Sequence, residues 1–137
     1  MQGITPPEIA DLIADKIKGK VVCDVGCGDG TFMHALAKHA SKVIGIEENQ
    51  EWAYKAAEDF DVYNLTSWHQ PLPPADVYWL WTIDAMGIYL KAKHEGTKGT
   101  FIFGKTVRPS LTKFLTQIHA KRRNHPTLDW WVYIAQL

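Results

Sequence analysis

Val21-Val22-Cys23-Asp24-Val25-Gly26-Cys27-Gly28-Asp29-Gly30 runs a short apolar segment straight into three alternate glycines. Residues 20–25 are a short apolar run rich in valine, which reads as a strand buried on both faces. Glycines at alternate positions accept the positive φ of a tight turn and let a ligand approach the backbone amides closely. Residues 29–38 place Phe32, Met33 and Leu36 at helical spacing, so the glycines join a strand to a helix.

The same alternation extends in both directions. Upstream, Thr5 is placed to cap a helix, with Pro6 at its first position and Glu8 completing a capping box. Ile9, Leu12, Ile13 and Ile17 form its apolar face, and Gly19 stops it. Downstream, residues 43–47 read as a strand, 49–58 as a helix, and 61–65 as a weaker strand. Residues 68–74 contain three prolines and read as loop. Residues 76–82 form an aromatic strand, 84–94 a helix ending near Gly96, and 100–106 a further strand. Ser110 is placed to cap a long helix running to about Arg123, with Leu111, Phe114, Leu115 and Ile118 on one face. Residues 129–137 are apolar enough for a closing strand. This pattern predicts an α/β doubly wound, mostly parallel sheet of about six strands, helices on both faces, shortened at its C-terminal edge. Ligands of such sheets bind at the carboxyl ends of the central strands.

At 137 residues and 46% hydrophobic, the chain is expected to fold as a single domain over residues 1–137. Fifteen basic and fifteen acidic residues cancel, so no global field draws nucleic acid or an anionic membrane. No apolar run approaches the roughly 18–20 residues of a spanning helix. The first residues lack the basic and apolar regions of a signal peptide. Cys23 and Cys27 are too few for a disulfide framework and lack companion metal ligands. Buried, reduced thiols and a cytoplasmic location are expected, with no metal site.

Glu47 closes the second strand about 20 residues beyond the turn, where a carboxylate suits the two hydroxyls of a ribose. The turn reads G-x-G-x-G, and Asp24 and Asp29 flank it. Two carboxylates repel a pyrophosphate but suit a ligand carrying an amino group or a sulfonium. An adenosine-bearing cation is therefore the expected ligand.

Residues 21–30 together with Ile44-Gly45-Ile46-Glu47 resemble the first two motifs of class I S-adenosylmethionine-dependent methyltransferases, and element order follows that family along nearly the whole chain. The resemblance implies a Rossmann-like fold, S-adenosylmethionine as cofactor and S-adenosylhomocysteine as product. It places Asp24, Gly26 and Gly28 against the methionine part; Cys27 and Asp29, in the same turn, are expected to bind the cofactor with them. It places Glu47 on the ribose, Glu48 beside the adenine, and Asn64 where the family usually has an aspartate facing the adenine amino group. An amide oxygen accepts that hydrogen bond too. Asp29 suits a ligand and a helix N-terminus equally well.

The end of the fourth strand is where this family meets its acceptor. There the chain has Trp79-Leu80-Trp81-Thr82-Ile83-Asp84, without the Asn/Asp-Pro-Pro-aromatic tetrapeptide of enzymes that methylate base amino groups. Residues 75–103 are closer in pattern to small single-domain protein lysine methyltransferases, which implies a protein lysine amine as acceptor. Trp68, Tyr78, Trp79 and Trp81 are candidate walls that discharge and orient a lysine, although Leu80 and one tryptophan suit the core. Trp81, Thr82 and Asp84 are the residues expected to act on the acceptor. The alternatives are a nucleic-acid or small-molecule acceptor and a non-catalytic cofactor-binding module. Lys121, Arg122 and Arg123, with His119 and His125 nearby, fit the solvated end of a helix or an anion-steering patch. Trp130 and Trp131 point to opposite faces of the last strand, and its open edge invites a homodimer.

Overall fold

The computed structural model describes residues 4–66 and 70–137. The helical face predicted at the start is split into α1 (Glu8–Leu12) and α2 (Ala14–Ile17) by Ile13, whose φ of −106° and ψ of 13° interrupt the helix. The expected Thr5 capping box is absent: Pro7 is the N-cap, with no side-chain capping bond. Thr5 is buried instead. Then follow β1 (Val21–Val25), α3 (Thr31–Ala37), β2 (Lys42–Ile46), α4 (Gln50–Ala56), β3 (Asp61–Tyr63) and β4 (Val77–Leu80). After α5 (Ala85–His94) come β5 (Thr100–Phe103), α6 (Pro109–Gln117), β6 (Lys121–Asn124) and β7 (Trp131–Gln136).

The strands form one seven-stranded sheet in the order β3-β2-β1-β4-β5-β7-β6. The first five run parallel; β7 is antiparallel to both β5 and β6. Side-chain alternation sends Val22, Val77, Trp79 and Ile102 into the core beneath α1, α2 and α3. It sends Cys23, Tyr78, Leu80, Phe101 and Phe103 to the opposite face, against α5 and α6. Burial on both faces explains why β1, β4 and β5 read as continuous apolar runs.

The C-terminal region departs from expectation. Helix α6 starts at Pro109 with Arg108 as N-cap, so Ser110 does not cap it. It ends at Gln117 rather than near Arg123, because His119 turns the chain at φ 59° in the left-handed region. Residues 121–124 become a seventh strand instead of a helix end. Lysine and arginine are good helix formers, but here pairing with β7 overrides local propensity. Arg123 donates to the Leu12 carbonyl at 3.0 Å and to Asp15 at 2.6 and 3.2 Å, fastening the edge to the first helices. His125 is not part of a cationic patch: its Nδ1 accepts the Thr127 and Leu128 amides and shapes the β6–β7 turn.

These pairings remove the argument for a homodimer. Strand β7 is covered on both sides, and the true edge, β6, carries consecutive cations, a device that blocks pairing of identical edges. Trp130 and Trp131 do face opposite cores, and both are half-buried. Trp131 lies under Lys105 and Arg122, at 4.8 and 4.3 Å from its ring centre. Among the described residues no helix is long and apolar enough to cross a membrane. Both cysteines are buried free thiols.

Candidate functional site

Three parallel strands end together where β1 stops at Val25, β2 at Ile46 and β4 at Leu80. Beyond those ends lies a cavity of about 610 Å³, within the size range of small-molecule sites. Its walls include Asp24, Gly26, Cys27 and Asp29 from the first turn, and Glu47 and Glu48 from the second. Trp81, Thr82 and Asp84 come from the end of β4. Gly28 and Asn64 do not line it.

The turn is built around φ values of 79° at Gly26, 59° at Gly28 and 90° at Gly30. Contrary to expectation, its first amides are not offered to a ligand. Gly26 and Cys27 donate to the Ile46 carbonyl at 2.8 and 2.9 Å, and Gly28 donates to Glu47 Oε1 at 2.8 Å. What the glycines supply is room: a Cβ on Gly26 would lie 2.6 Å from Thr82 Cγ2. Likewise, Gly45 leaves the space that Cys27 Sγ fills, so the Cys27 side chain is a packing group. Burial pushes its thiol well above the usual range.

Two carboxylates sit at the base of the cavity. Glu47 is buried, and its Oε2 accepts the Asn49 amide at 2.9 Å. Each of its oxygens bonded to one amide keeps a lone pair for a further donor. Asp24 is also buried, and its carboxyl is pushed up to about 7 by burial and by the nearby Glu47 charge. A cation placed there relieves both effects. Asp29 lies at the rim, where Oδ1 accepts from the Thr31 amide at 3.0 Å and hydroxyl at 2.6 Å. Those bonds hold its carboxyl below the usual range and start α3.

Asn64, expected to face the adenine with its amide oxygen, does not line the cavity, and its Nδ2 donates to the Glu47 and Glu48 carbonyls at 2.9 and 3.1 Å. Leu65 and Thr66 line the cavity in its place, and Thr66 donates to Glu48 Oε2 at 3.3 Å. Sequence reading also missed Thr5, Phe32 and Trp52 as lining residues. An aromatic in the first turn of the helix after Glu47 was the available signal for Trp52; Thr5 carried none.

Of the residues expected to meet an acceptor, Tyr78 is not a wall. It is core on the far face, and its hydroxyl donates to the Pro73 carbonyl at 2.7 Å. Trp79 is buried against Phe32, with ring centres 5.0 Å apart, and also lines the cavity. Trp81 is half-buried. Thr82 packs its methyl on Gly26, while its Oγ1 is buried with no partner among the described residues. Asp84 is the N-cap residue of α5 but makes no side-chain capping bond. Trp68 lies outside the described residues. Ile4 and Ile83 stand exposed at the mouth. Five carboxylates and no lysine, arginine or histidine occur among the described lining residues.

No family model matches the chain. A tRNA U34 carboxymethyltransferase of Pseudomonas fluorescens (strain SBW25) is 33% identical over 82 residues, covering 53% of this chain and 25% of that protein. The match thus spans about a quarter of the relative's own length. In structure, the chain is similar to an RNA methyltransferase from Salinibacter ruber in complex with S-adenosyl-L-homocysteine. That likeness has a TM-score of 0.70 at 16% identity, over 98% of this chain and 93% of that one. It is also similar to a ribosomal protein L11 methylase from Lactobacillus delbrueckii subsp. bulgaricus. There the TM-score is 0.69 at 18% identity, over 94% of this chain and 77% of that one. The chain has the Rossmann-like fold of class I S-adenosylmethionine-dependent methyltransferases.

Proposed function

We propose that this chain is a methyltransferase whose methyl donor is S-adenosylmethionine, held between the glycine turn, Asp24 and Glu47. One observation carries the reading: a buried glutamate bonded to the glycine turn shares a cavity with a second buried carboxylate, and no described cation neutralises either. That donor set fits a ribose diol beside an amino group and a sulfonium. When bound, S-adenosylmethionine supplies a sulfonium methyl; the acceptor–methyl bond forms as the sulfur–methyl bond breaks, leaving S-adenosylhomocysteine. In-line placement supplies much of the acceleration for such a transfer. Glu47 takes the ribose, Asp24 the methionine amino group, and Glu48 stands beside the adenine.

For the acceptor, the reading is a protein lysine amine. An acidic cavity with tryptophan walls attracts a basic side chain and disfavours a phosphate-bearing one. Trp81, Thr82 and Asp84 orient it. Methylation of the neutral amine produces an ammonium that releases its proton to water. A second reading, a nucleic-acid acceptor, is favoured by the partial likeness to a tRNA-modifying enzyme.

Incubating the pure protein with methyl-tritiated S-adenosylmethionine and fractionated cell extract tests both readings. Label in protein, stable to base and recovered as methyl-lysine, is the expected result. Label in RNA alone replaces the lysine reading by the second one, and label in metabolites replaces both. Tight cofactor binding without transfer to any fraction leaves a non-catalytic binding module.

A further inference from the structure

Trp81, at the carboxyl end of β4, is gripped by the C-terminal part of the sheet. Its Nε1–H donates to the Lys105 carbonyl at 2.8 Å. Trp130 meets its ring edge-on, with centres 4.9 Å apart and planes at 65°. Gly104 lets the backbone pass beneath the indole: a Cβ there would lie 2.6 Å from Cδ1 and Cγ and 2.9 Å from Cβ of Trp81. Lys105 is in turn tied by Nζ to the Asp129 carbonyl at 2.7 Å and carboxylate at 3.3 Å. The turn between β6 and β7 therefore holds one wall of the cavity, while the carboxylates that face the cofactor side belong to β1 and to the turns after β1 and β2.

We infer that Gly104 and Trp130 are positioning residues that set the Trp81 indole against the incoming acceptor, so that the β6–β7 hairpin governs acceptor binding without governing the cofactor. This rests on the methyltransferase reading above. An indole packed on one edge and hydrogen-bonded at its nitrogen has few rotamers open to it. Releasing either restraint lets the wall move, and a displacement of about 1 Å near a reacting group costs up to roughly a hundredfold in rate. Trp130 packs on Trp81 but does not itself line the cavity that Asp24 and Glu47 line, so its loss leaves the carboxylate pair in place.

The test compares Trp130→Ala and Gly104→Ala with the wild-type chain in three measurements. These are acceptor kinetics with whichever extract fraction wild type labels, calorimetric binding of S-adenosylhomocysteine, and the far-ultraviolet exciton band of paired indoles. The exciton band should disappear in Trp130→Ala. Acceptor KM should rise, or kcat fall, about tenfold or more in both variants, with the S-adenosylhomocysteine Kd within about twofold of wild type. Trp130→Phe, which keeps an aromatic edge, should recover most of the rate without the band. If the alanine variants do not fold, Trp130→Leu measured against Trp130→Phe makes the same comparison. Unchanged acceptor kinetics overturn the inference, and so does a cofactor Kd that worsens in step with transfer, since that marks general loosening. A wild-type chain that binds S-adenosylhomocysteine yet labels nothing refutes the methyltransferase reading and this inference with it. Transfer by wild type with indifferent variants refutes the inference alone.

Discussion

Glu47 Oε1 accepts the amide hydrogen of Gly28 at 2.8 Å, which makes the end of β2 and the turn after β1 a single unit. Because Oε2 holds the Asn49 amide as well, one side chain fastens the glycine turn on one side and the start of α4 on the other. The residue proposed to take the ribose is therefore also the one that shapes its site.

Glu47→Ala removes an acceptor from both amides and from the ligand. Cofactor binding by calorimetry should weaken by about 1–3 kcal/mol, and the melting temperature should fall as well. Glu47→Gln keeps one carbonyl oxygen for an amide, so it should lose less stability than alanine while still binding poorly. Equal binding by all three proteins removes Glu47 from the site.

Asp24 gives a pH signature. Its carboxyl holds a proton in the folded chain up to about pH 7, against an ordinary value of 3.8. The native state thus binds that proton more tightly than the unfolded chain does. The stabilisation this gives is present at low pH and is lost as pH rises through the folded value. Asp24→Asn removes the linkage. Its melting temperature relative to wild type should climb between pH 4 and pH 7 and level off above, while S-adenosylmethionine binding weakens. Binding to wild type should release a proton near neutral pH, which titrations in buffers of different ionisation enthalpy detect. A flat difference in melting temperature across that range contradicts the burial of this carboxyl.

Gly26→Ala meets two obstacles, a φ of 79° and the Thr82 methyl at 2.6 Å. A loss greater than about 1 kcal/mol is expected by denaturant titration. Thr82→Ser deletes the obstructing methyl. The double variant should recover the steric part of that loss and keep the backbone part, and strict additivity of the two substitutions would show that the residues do not touch.

Asn64 is expected to act through the backbone. Its amide donates to the Glu47 and Glu48 carbonyls, so Asn64→Asp sets a carboxylate against two carbonyl oxygens. Aspartate should destabilise more than alanine, by about 1 kcal/mol or more in chemical denaturation. The reverse order would show that these two hydrogen bonds do not hold the Glu47–Glu48 segment.

What was legible in the chain was local. Valine-rich β1 flowing into alternate glycines, helical spacing in α3, and a carboxylate at the end of β2 each carry their signal within a few residues. The parallel core, the turn and the positions of Asp24 and Glu47 at the cavity followed from them. The roles of single donors and acceptors did not. Nothing in residues 26–28 shows that their amides close onto Ile46 and Glu47, because those partners arrive from another strand. Asn64 braces a neighbouring loop by the same kind of non-local contact.

Tertiary structure alone decided the stretch between α6 and β7. Lys121 to Asn124 have the composition of a helix end, and only the hydrogen bonds offered by β7 make them a strand. That pairing closes the open edge, withdraws the reason for a homodimer and carries Trp130 up against Trp81. Short-range periodicity dictates which residues are buried. Which strand lies beside which, and hence what stands behind a given side chain, depends on pairing energies between segments far apart in the chain.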